Sequence, residues 1–120
     1  MVKLVFCVRR RSDLSFEAFQ KRWLDVHGPL VRRLREDLPM MRRYVQSHLI
    51  PGEASEGIRR SRGAKEPYDG ITEVWFDSLE GLGGDGPAAA EAGRKLLEDE
   101  AEFIDLANSA VFLTEEHEIF

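Results

Sequence analysis

Short strand-like segments alternate with longer amphipathic segments along this chain, and their order limits the folds open to it. Four segments are rich in β-branched and aromatic residues, which is typical of β-strands. They are residues 2–9, 41–50, 68–77 and 109–114. Residues 15–36 and 88–105 repeat apolar residues at helical spacing and are predicted to be the two main helices. The order β-α-β-β-α-β is that of a ferredoxin-like α+β fold, with helices on one face of an antiparallel sheet.

The connections are assigned by their turn-forming residues. Ser15 is the predicted N-cap of the first helix. Residues 51–66 are rich in Gly, Ser, Arg and Glu, which favours a mobile surface loop over the alternative, a lid. A short helix is expected at residues 78–80, followed by a glycine-rich insert at 81–86. The second main helix is expected to bury Leu97, Ala101 and Ile104.

Both faces of the predicted sheet are largely apolar. In the first strand, one face carries Leu4, Phe6 and Val8, and the other carries Val5 and Cys7. Helices cover only one face, so we expect the other to be buried against a second subunit, giving a homodimer in the form of a dimeric α+β barrel. The single cysteine excludes an internal disulfide, fits a reducing compartment, and is expected to be a packed core thiol.

Length and charge narrow the class of protein. The chain of 120 residues is predicted to be one domain, 1–120, with no secretory signal and no apolar run of about 18 residues, which predicts a cytoplasmic protein without a membrane partner. The net charge of −5 and the mixing of arginine clusters with acidic segments argue against nucleic-acid binding. A small anionic or carbonyl-bearing ligand stays compatible with this charge pattern.

The segment WLDVHGP, residues 23–29, places a histidine at a predicted break in the first helix. Gly28 weakens the helix, and Pro29 lacks the N–H that would bond the carbonyl of Asp25, so a kink or restart is expected. A helix terminus would raise the pKa of His27, whereas burial would lower it. His27 is therefore a candidate acid, base or charged clamp, and the alternative is a capping residue that packs against its neighbours.

Three polar side chains share one face of the second strand at a spacing of two residues. They are Tyr44, Gln46 and His48, whose polar ends can converge on one ligand. With His27, they could supply a proton donor, a proton acceptor and an orienting group, while Gln46 fixes a carbonyl or hydroxyl. The alternatives are an imidazole at a frayed strand end for His48 and a buried ring with a satisfied hydroxyl for Tyr44.

The remaining titratable residues are weaker candidates for a site. Glu73 could be a carboxyl made neutral by burial, but pairing with a nearby arginine is favoured. The acids Asp99, Glu100 and Asp105 of the second helix are expected to be solvated, and His117 is expected to lie in an exposed tail. No spacing of ligands predicts a metal site. No Cys-x-x-Cys-His sequence or dinucleotide fingerprint is present, so covalent haem is excluded, loosely bound haem is a minor alternative, and no cofactor is predicted.

Several phrases in this order resemble the EthD-domain family and together span nearly the whole chain. They are FQKRW at 19–23, HGP at 27–29, RYVQSH at 43–48, PYDG at 67–70 with EVWFD at 73–77, and the closing DE at 99–100, FID at 103–105 and FLTEE at 112–116. The resemblance implies a dimeric α+β barrel and places the His-Gly-Pro segment at the mouth of a cleft between helices and sheet. The glycine-rich insert at 81–86 departs from the more regular members.

The resemblance does not fix a reaction, because relatives include cyclases, isomerases, monooxygenases and haem-degrading enzymes. We expect cofactor-free acid/base chemistry of a cyclase, isomerase, dehydratase or decarboxylase type on a small aromatic or carbonyl-bearing ligand. His27, Tyr44 and His48 are the predicted catalytic residues. The predicted ligand-binding residues are Trp23, Gln46, Tyr68, Glu73 and Trp75. The alternatives are a non-catalytic accessory protein with an oxidoreductase pathway partner, or a cofactor-free oxidoreductase.

Overall fold

The computed structural model describes residues 1–120 and has four strands and four α-helical segments. The strands are β1 (Val2–Val8), β2 (Arg43–His48), β3 (Gly70–Phe76) and β4 (Ala110–Glu115). The helices are α1 (Phe16–Arg22), α2 (Gly28–Leu34), α3 (Glu53–Ser61) and α4 (Gly86–Glu100). Short 3-10 turns follow α2 at Arg35–Asp37, precede α4 at Leu79–Gly81 and precede β4 at Leu106–Asn108.

The strands form one antiparallel sheet in the order β2-β3-β1-β4, which confirms the predicted ferredoxin-like α+β fold. The register places Val8 opposite Gly70, and Gly70 opposite His48. Since side chains alternate along each strand, this register puts Tyr44, Gln46 and His48 on the same sheet face as Leu4, Phe6 and Val8. That face is the one covered by the helices.

The core lies between the helices and this sheet face, in two clusters. The first contains Val8, Phe19, Trp23, Phe103 and Ile104. The second packs the end of α2 against α4 through Leu34, Leu38, Ala89 and Ala92. Ser15 caps α1 as predicted, because its hydroxyl accepts a hydrogen bond from the Ala18 N–H at 3.1 Å.

The first helix restarts at Gly28 after a π-helical turn. A π-helical turn, Trp23–His27, joins α1 to α2, and both His27 and Gly28 keep right-handed helical dihedral angles. The Gly28 N–H bonds the carbonyl of Trp23, five residues earlier. The wider turn accommodates the missing N–H of Pro29, and α2 begins at Gly28 with Pro29 in its first turn, which confirms the predicted restart.

The predicted loop at 51–66 was wrong, since α3 occupies its centre. This helix has no buried residue and is held by local ion pairs such as Arg59 with Glu56, at 3.0 Å. The predicted apolar stripe of the second main helix was wrong in part. Leu97 is exposed, α4 ends at Glu100, and the buried residues of α4 are Ala89 and Ala92.

The opposite sheet face is not covered by any helix. Cys7 lies on it and is half-buried, so the expectation of a core thiol was wrong for this single chain. Ile71 and Phe112 also lie there and are exposed. None of the helices has the length and apolar character that crossing a lipid bilayer requires.

Candidate functional site

The π-helical turn at Trp23–His27 links the first helix to the polar residues of β2. The Trp23 carbonyl accepts a hydrogen bond from Gln46 Nε2 at 2.9 Å, in addition to the bond from Gly28. The Trp23 ring is fully buried and stacks on the ring of His48 at a centroid distance of 4.3 Å. The turn therefore fixes the helix, Gln46 and His48 relative to one another.

His27 lies at the end of this turn and is buried, with 3% of its surface exposed. Its Nδ1 lies 2.8 Å from Asp99 Oδ2, and Arg22 forms an ion pair with the same carboxylate. Burial lowers the pKa of His27, although the hydrogen bond to Asp99 and the charge of Asp99 oppose the shift. The neutral imidazole consequently donates from Nδ1 to Asp99 and leaves Nε2 as an acceptor.

Asp99 stays ionised in this arrangement. Burial raises the pKa of Asp99, but the hydrogen bonds from Arg22 and His27 outweigh that effect and lower the pKa overall. An ionised carboxylate that fixes the tautomer and orientation of a histidine is the arrangement by which acid/base histidines are prepared for proton transfer. Asp99 therefore orients His27, and Arg22 keeps Asp99 charged.

Glu100 faces the second ring nitrogen of His27. Its Oε2 lies 3.9 Å from His27 Nε2, and its side chain is 22% exposed. Burial raises the pKa of Glu100 to about 7, and the negative charge of Asp99 adds to the shift. A carboxyl that titrates near neutrality beside an imidazole acceptor is suited to exchange a proton with it.

The raised pKa of Glu100 predicts a pH dependence of stability that the variant Glu100→Gln should remove. Between pH 4.5 and about 7 the unfolded chain releases this proton while the folded chain keeps it, so the contribution of Glu100 to wild-type stability falls as pH rises through this window. The loss should approach about 3 kcal/mol above pH 7. Urea titrations should give similar free energies of unfolding for wild type and Glu100→Gln near pH 4.5, and a more stable variant at pH 8.

The exposed neighbour Glu102 provides the control for this comparison. The variant Glu102→Gln should differ from wild type by a small amount that does not change across the same pH range. A Glu100→Gln variant that is less stable than wild type at pH 8 would contradict the assignment of a penalised buried charge at Glu100.

The polar residues of β2 form a directed chain of hydrogen bonds. Gln46 Nε2 donates to the Trp23 carbonyl and, at 3.1 Å, to the Tyr44 hydroxyl oxygen. His48 Nε2 lies 2.8 Å from Gln46 Oε1 and must donate to it, since an amide oxygen only accepts. Both amide hydrogens of Gln46 are thereby used, and the hydroxyl proton of Tyr44 is free to point away from Gln46.

Tyr44 is a hydrogen-bond donor rather than a base in this environment. Burial raises the pKa of the Tyr44 hydroxyl, hydrogen bonds from its neighbours including Gln46 oppose the shift, and the charge of Glu100 adds to it. Burial also lowers the pKa of His48, which keeps its ring neutral. At neutral pH the Tyr44 hydroxyl therefore holds its proton and can donate it to a ligand oxygen.

A cleft of about 540 Å³ opens between α2 and β2, and Tyr44 and Gln46 line it. This volume is in the range of small-molecule sites. The helix side is formed by Leu24, Gly28, Pro29, Val31, Arg32 and Arg35, and the remaining lining residues are Leu38, Met41, Arg42 and Arg43. His27 does not line the cleft but lies one helical position before Gly28, behind the wall.

The predicted site residues divide into two groups. His27, Tyr44, Gln46 and His48 lie together on the helix side of the sheet, around the buried Trp23. Three other predicted ligand-binding residues lie elsewhere: Tyr68, Glu73 and Trp75. Tyr68 precedes β3 and stacks under Arg9 at 4.7 Å.

Glu73 and Trp75 project from the uncovered sheet face, on the opposite side from the cleft. Glu73 is paired as favoured, but with Lys3 at 2.8 Å and not with an arginine. Trp75 packs under the Arg43 guanidinium at 4.7 Å. These two side chains therefore do not join the group around His27.

Sequence reasoning missed Asp99, Glu100 and Arg22 as site residues. The expectation that Asp99 and Glu100 are solvated was wrong, because both side chains lie against His27 and are largely buried. Acidic residues on an amphipathic helix are usually exposed, and His27 is 72 positions away in sequence from Asp99. The signal that could have identified them is the DE phrase at 99–100, which belonged to the family resemblance.

The fold and cleft define a ferredoxin-like α+β protein with a polar chain beside a small-molecule-sized site. A family model described as the EthD domain matches residues 11–107, and the chain belongs to that family. No protein with a curated description matches it significantly in sequence. The similarity to solved structures supports the fold.

Three solved structures are similar over nearly their full length. An EthD family protein from Bacillus halodurans has a TM-score of 0.66 at 19% identity, covering 98% of this chain and 99% of that one. An EthD-like protein from Ralstonia eutropha has a TM-score of 0.61 at 19% identity, covering 95% and 89%. A dimeric ferredoxin-like protein of unknown function from Thermobifida fusca has a TM-score of 0.61 at 13% identity, covering 96% and 90%.

Proposed function

We propose that this protein binds a small aromatic, carbonyl-bearing ligand in the cleft between α2 and β2 and catalyses cofactor-free proton transfer on it. The observation that carries the proposal is the hydrogen-bond chain from His48 through Gln46 to Tyr44, which leaves the Tyr44 proton free at the wall of the cleft. Nearby, Asp99 orients His27, and Glu100, whose pKa is raised to about 7, lies 3.9 Å from His27 Nε2 and can exchange a proton with it near neutral pH.

The proposed step is enolisation. The Tyr44 hydroxyl donates a hydrogen bond to the ligand carbonyl oxygen. The C–H bond next to the carbonyl breaks, its electron pair forms the carbon–carbon double bond of the enolate, and the developing charge on oxygen is stabilised by Tyr44. Glu100 does not line the cleft, so the proposed path of the proton runs through one water molecule to the Glu100 carboxylate and on to His27 Nε2, which Asp99 orients. Return of the proton to another atom would give isomerisation, and loss of a leaving group would give dehydration.

The experiment that tests this proposal is exchange of the α-protons of 2-tetralone, an aromatic ketone, in deuterated buffer. Proton NMR should show faster loss of the α-proton signals with the wild-type protein than with buffer or with heat-denatured protein. No acceleration, in a sample where titration shows that 2-tetralone binds, would contradict catalysis of proton transfer.

Binding of 2-tetralone without faster proton exchange would correspond to the alternative function, a non-catalytic binding protein that assists an oxidoreductase. One observation favours this alternative. His27 does not line the cleft, one of its ring nitrogens is engaged by Asp99, and the other faces Glu100. Such a histidine can stabilise the fold without ever meeting a ligand.

We further propose that two chains associate through the uncovered sheet face into a dimeric α+β barrel. Ile71 and Phe112 are exposed there, and similar proteins are described as dimeric. Contiguous exposed apolar surface on a sheet favours association. Sedimentation equilibrium at micromolar concentration should report twice the chain mass of 13.7 kDa, and a single-chain mass would contradict the dimer.

A further inference from the structure

The cleft between α2 and β2 has an unusual charge distribution for an acidic protein. Four of its twelve lining residues are arginines: Arg32, Arg35, Arg42 and Arg43. None of the lining residues is acidic, although the whole chain carries a net charge of −5. A cleft lined by one sign of charge concentrates ligands of the opposite sign.

Two of these arginines are already engaged by groups of the protein. Arg42 donates from Nε and Nη2 to Asp77 Oδ2, at 2.9 and 2.7 Å. The Arg43 guanidinium lies over the Trp75 ring. Neither of these side chains is fully available to a ligand.

Arg32 and Arg35 differ, because no carboxylate lies within ion-pair distance of either and neither donates a side-chain hydrogen bond within the protein. Leu24, Gly28, Arg32 and Arg35 follow one another at spacings of four, four and three residues, and all four line the cleft. These spacings place the two arginines on the same face of the helix as Gly28. Gly28 lies next to Gln46, so the arginines line the part of this wall that is farther from Gln46. Two unpaired guanidiniums on one wall fit an oxyanion, which arginine binds through paired N–H groups.

We infer that the ligand of this cleft carries an oxyanion group, a carboxylate or a phosphate, that binds Arg32 and Arg35 while its reacting end lies against Tyr44. The inference rests on the proposed function and adds the class of substrate. The apolar residues that line the same cleft, Leu24, Val31, Leu38 and Met41, suit an aromatic body. The ligand is therefore an aromatic acid or an aromatic phosphate.

A simpler role for arginines at this position is stabilisation of the helix end, since cations are favourable near the C-terminal carbonyls of α2. That role applies equally to Arg33, which is in the last turn of α2 but does not line the cleft. Arg33→Gln is therefore the matched control. A helix-end effect predicts that Arg32→Gln and Arg33→Gln change the affinity for an anion equally. An oxyanion site predicts that only Arg32→Gln weakens it.

Isothermal titration calorimetry with three matched probes tests the inference: 2-naphthoate, 2-naphthyl phosphate and neutral 2-naphthamide. At low salt, at least one of the anions should bind wild type about tenfold more tightly than the amide. Arg32→Gln and Arg35→Gln should each weaken that anion about tenfold and leave the amide unchanged, while Arg33→Gln changes neither. Added salt should weaken anion binding and not amide binding. The anion that binds more tightly shows whether the oxyanion group of the ligand is a carboxylate or a phosphate.

Three results would overturn the inference. Equal binding of the anions and the amide, with no effect of Arg32→Gln or Arg35→Gln, would define a cleft for neutral ligands and would leave the proposed function intact. Equal losses of anion affinity in Arg32→Gln and Arg33→Gln would show that the arginines stabilise the end of α2 and do not form an oxyanion site. Absence of binding by all three probes, together with no exchange of 2-tetralone, would overturn the proposed function as well.

Discussion

Replacement of His27 by alanine should lower the rate of 2-tetralone proton exchange by about 100-fold or more, the usual contribution of a positioned acid or base. In the proposed step, His27 Nε2 is the final acceptor of the proton that Glu100 receives. Without the imidazole the proton stays on Glu100, and Asp99 loses one of its two hydrogen-bond donors. The measurement is the exchange rate by proton NMR, with circular dichroism to confirm that the variant is folded at the assay temperature.

Two further variants separate chemistry from folding in this experiment. His27→Gln keeps a polar side chain in the position and should also lose exchange activity, because an amide cannot accept and release a proton at neutral pH. Asp99→Asn leaves the imidazole in place but removes the carboxylate that fixes its tautomer, so activity should again fall. Full exchange activity in a folded His27→Gln protein would remove His27 from the proposed mechanism.

The substitution Gly70→Ala should destabilise the fold by roughly 3 kcal/mol, the upper range of the cost of overpacking a core. A Cβ at Gly70 would lie 2.5 Å from Trp23 Cζ3 and 2.7 Å from the Ser47 carbonyl oxygen. Neither group can yield easily, because the Trp23 ring is held between Phe19 and His48 and the Ser47 oxygen is part of the backbone of β2. Thermal unfolding should show a melting temperature lower by roughly 10 °C.

Gly57→Ala is the matched control for this prediction. Gly57 lies within α3, and a Cβ added to it would have no heavy atom of another part of the protein within 4 Å. Alanine favours helix more than glycine does, so this variant should be neutral or more stable by up to about 1 kcal/mol. A Gly70→Ala protein as stable as Gly57→Ala would show that Trp23 is not fixed, and the geometry of His48 and Gln46 would then not be fixed either.

The order of elements and the faces of the strands could be predicted from the sequence because both depend on local alternation. The alternation of Tyr44, Gln46 and His48 placed three polar groups on one face, and they do share that face. Helical periodicity alone could not reveal the π-helical turn, because the apolar residues within α1 and within α2 each keep normal helical spacing on either side of it. The short helix α3 was missed because it buries no apolar stripe.

The electrostatic part of the site depends on contacts that sequence spacing does not encode. Asp99 and Glu100 resemble the other acids of α4, and only the packing of α4 against the π-helical turn separates them. The close approach of Trp23 to Gly70 is equally non-local, because it joins the first helix to the third strand. Both features determine where His27 and His48 lie.

The most direct test of a ligand cleft built around Tyr44 is a crystal structure of the protein with 2-tetralone bound. The ligand should lie between α2 and β2, with its carbonyl oxygen within about 3 Å of the Tyr44 hydroxyl, the length of a hydrogen bond. A ligand seated against the uncovered sheet face, or in the cleft with its carbonyl directed away from Tyr44, would contradict the central claim.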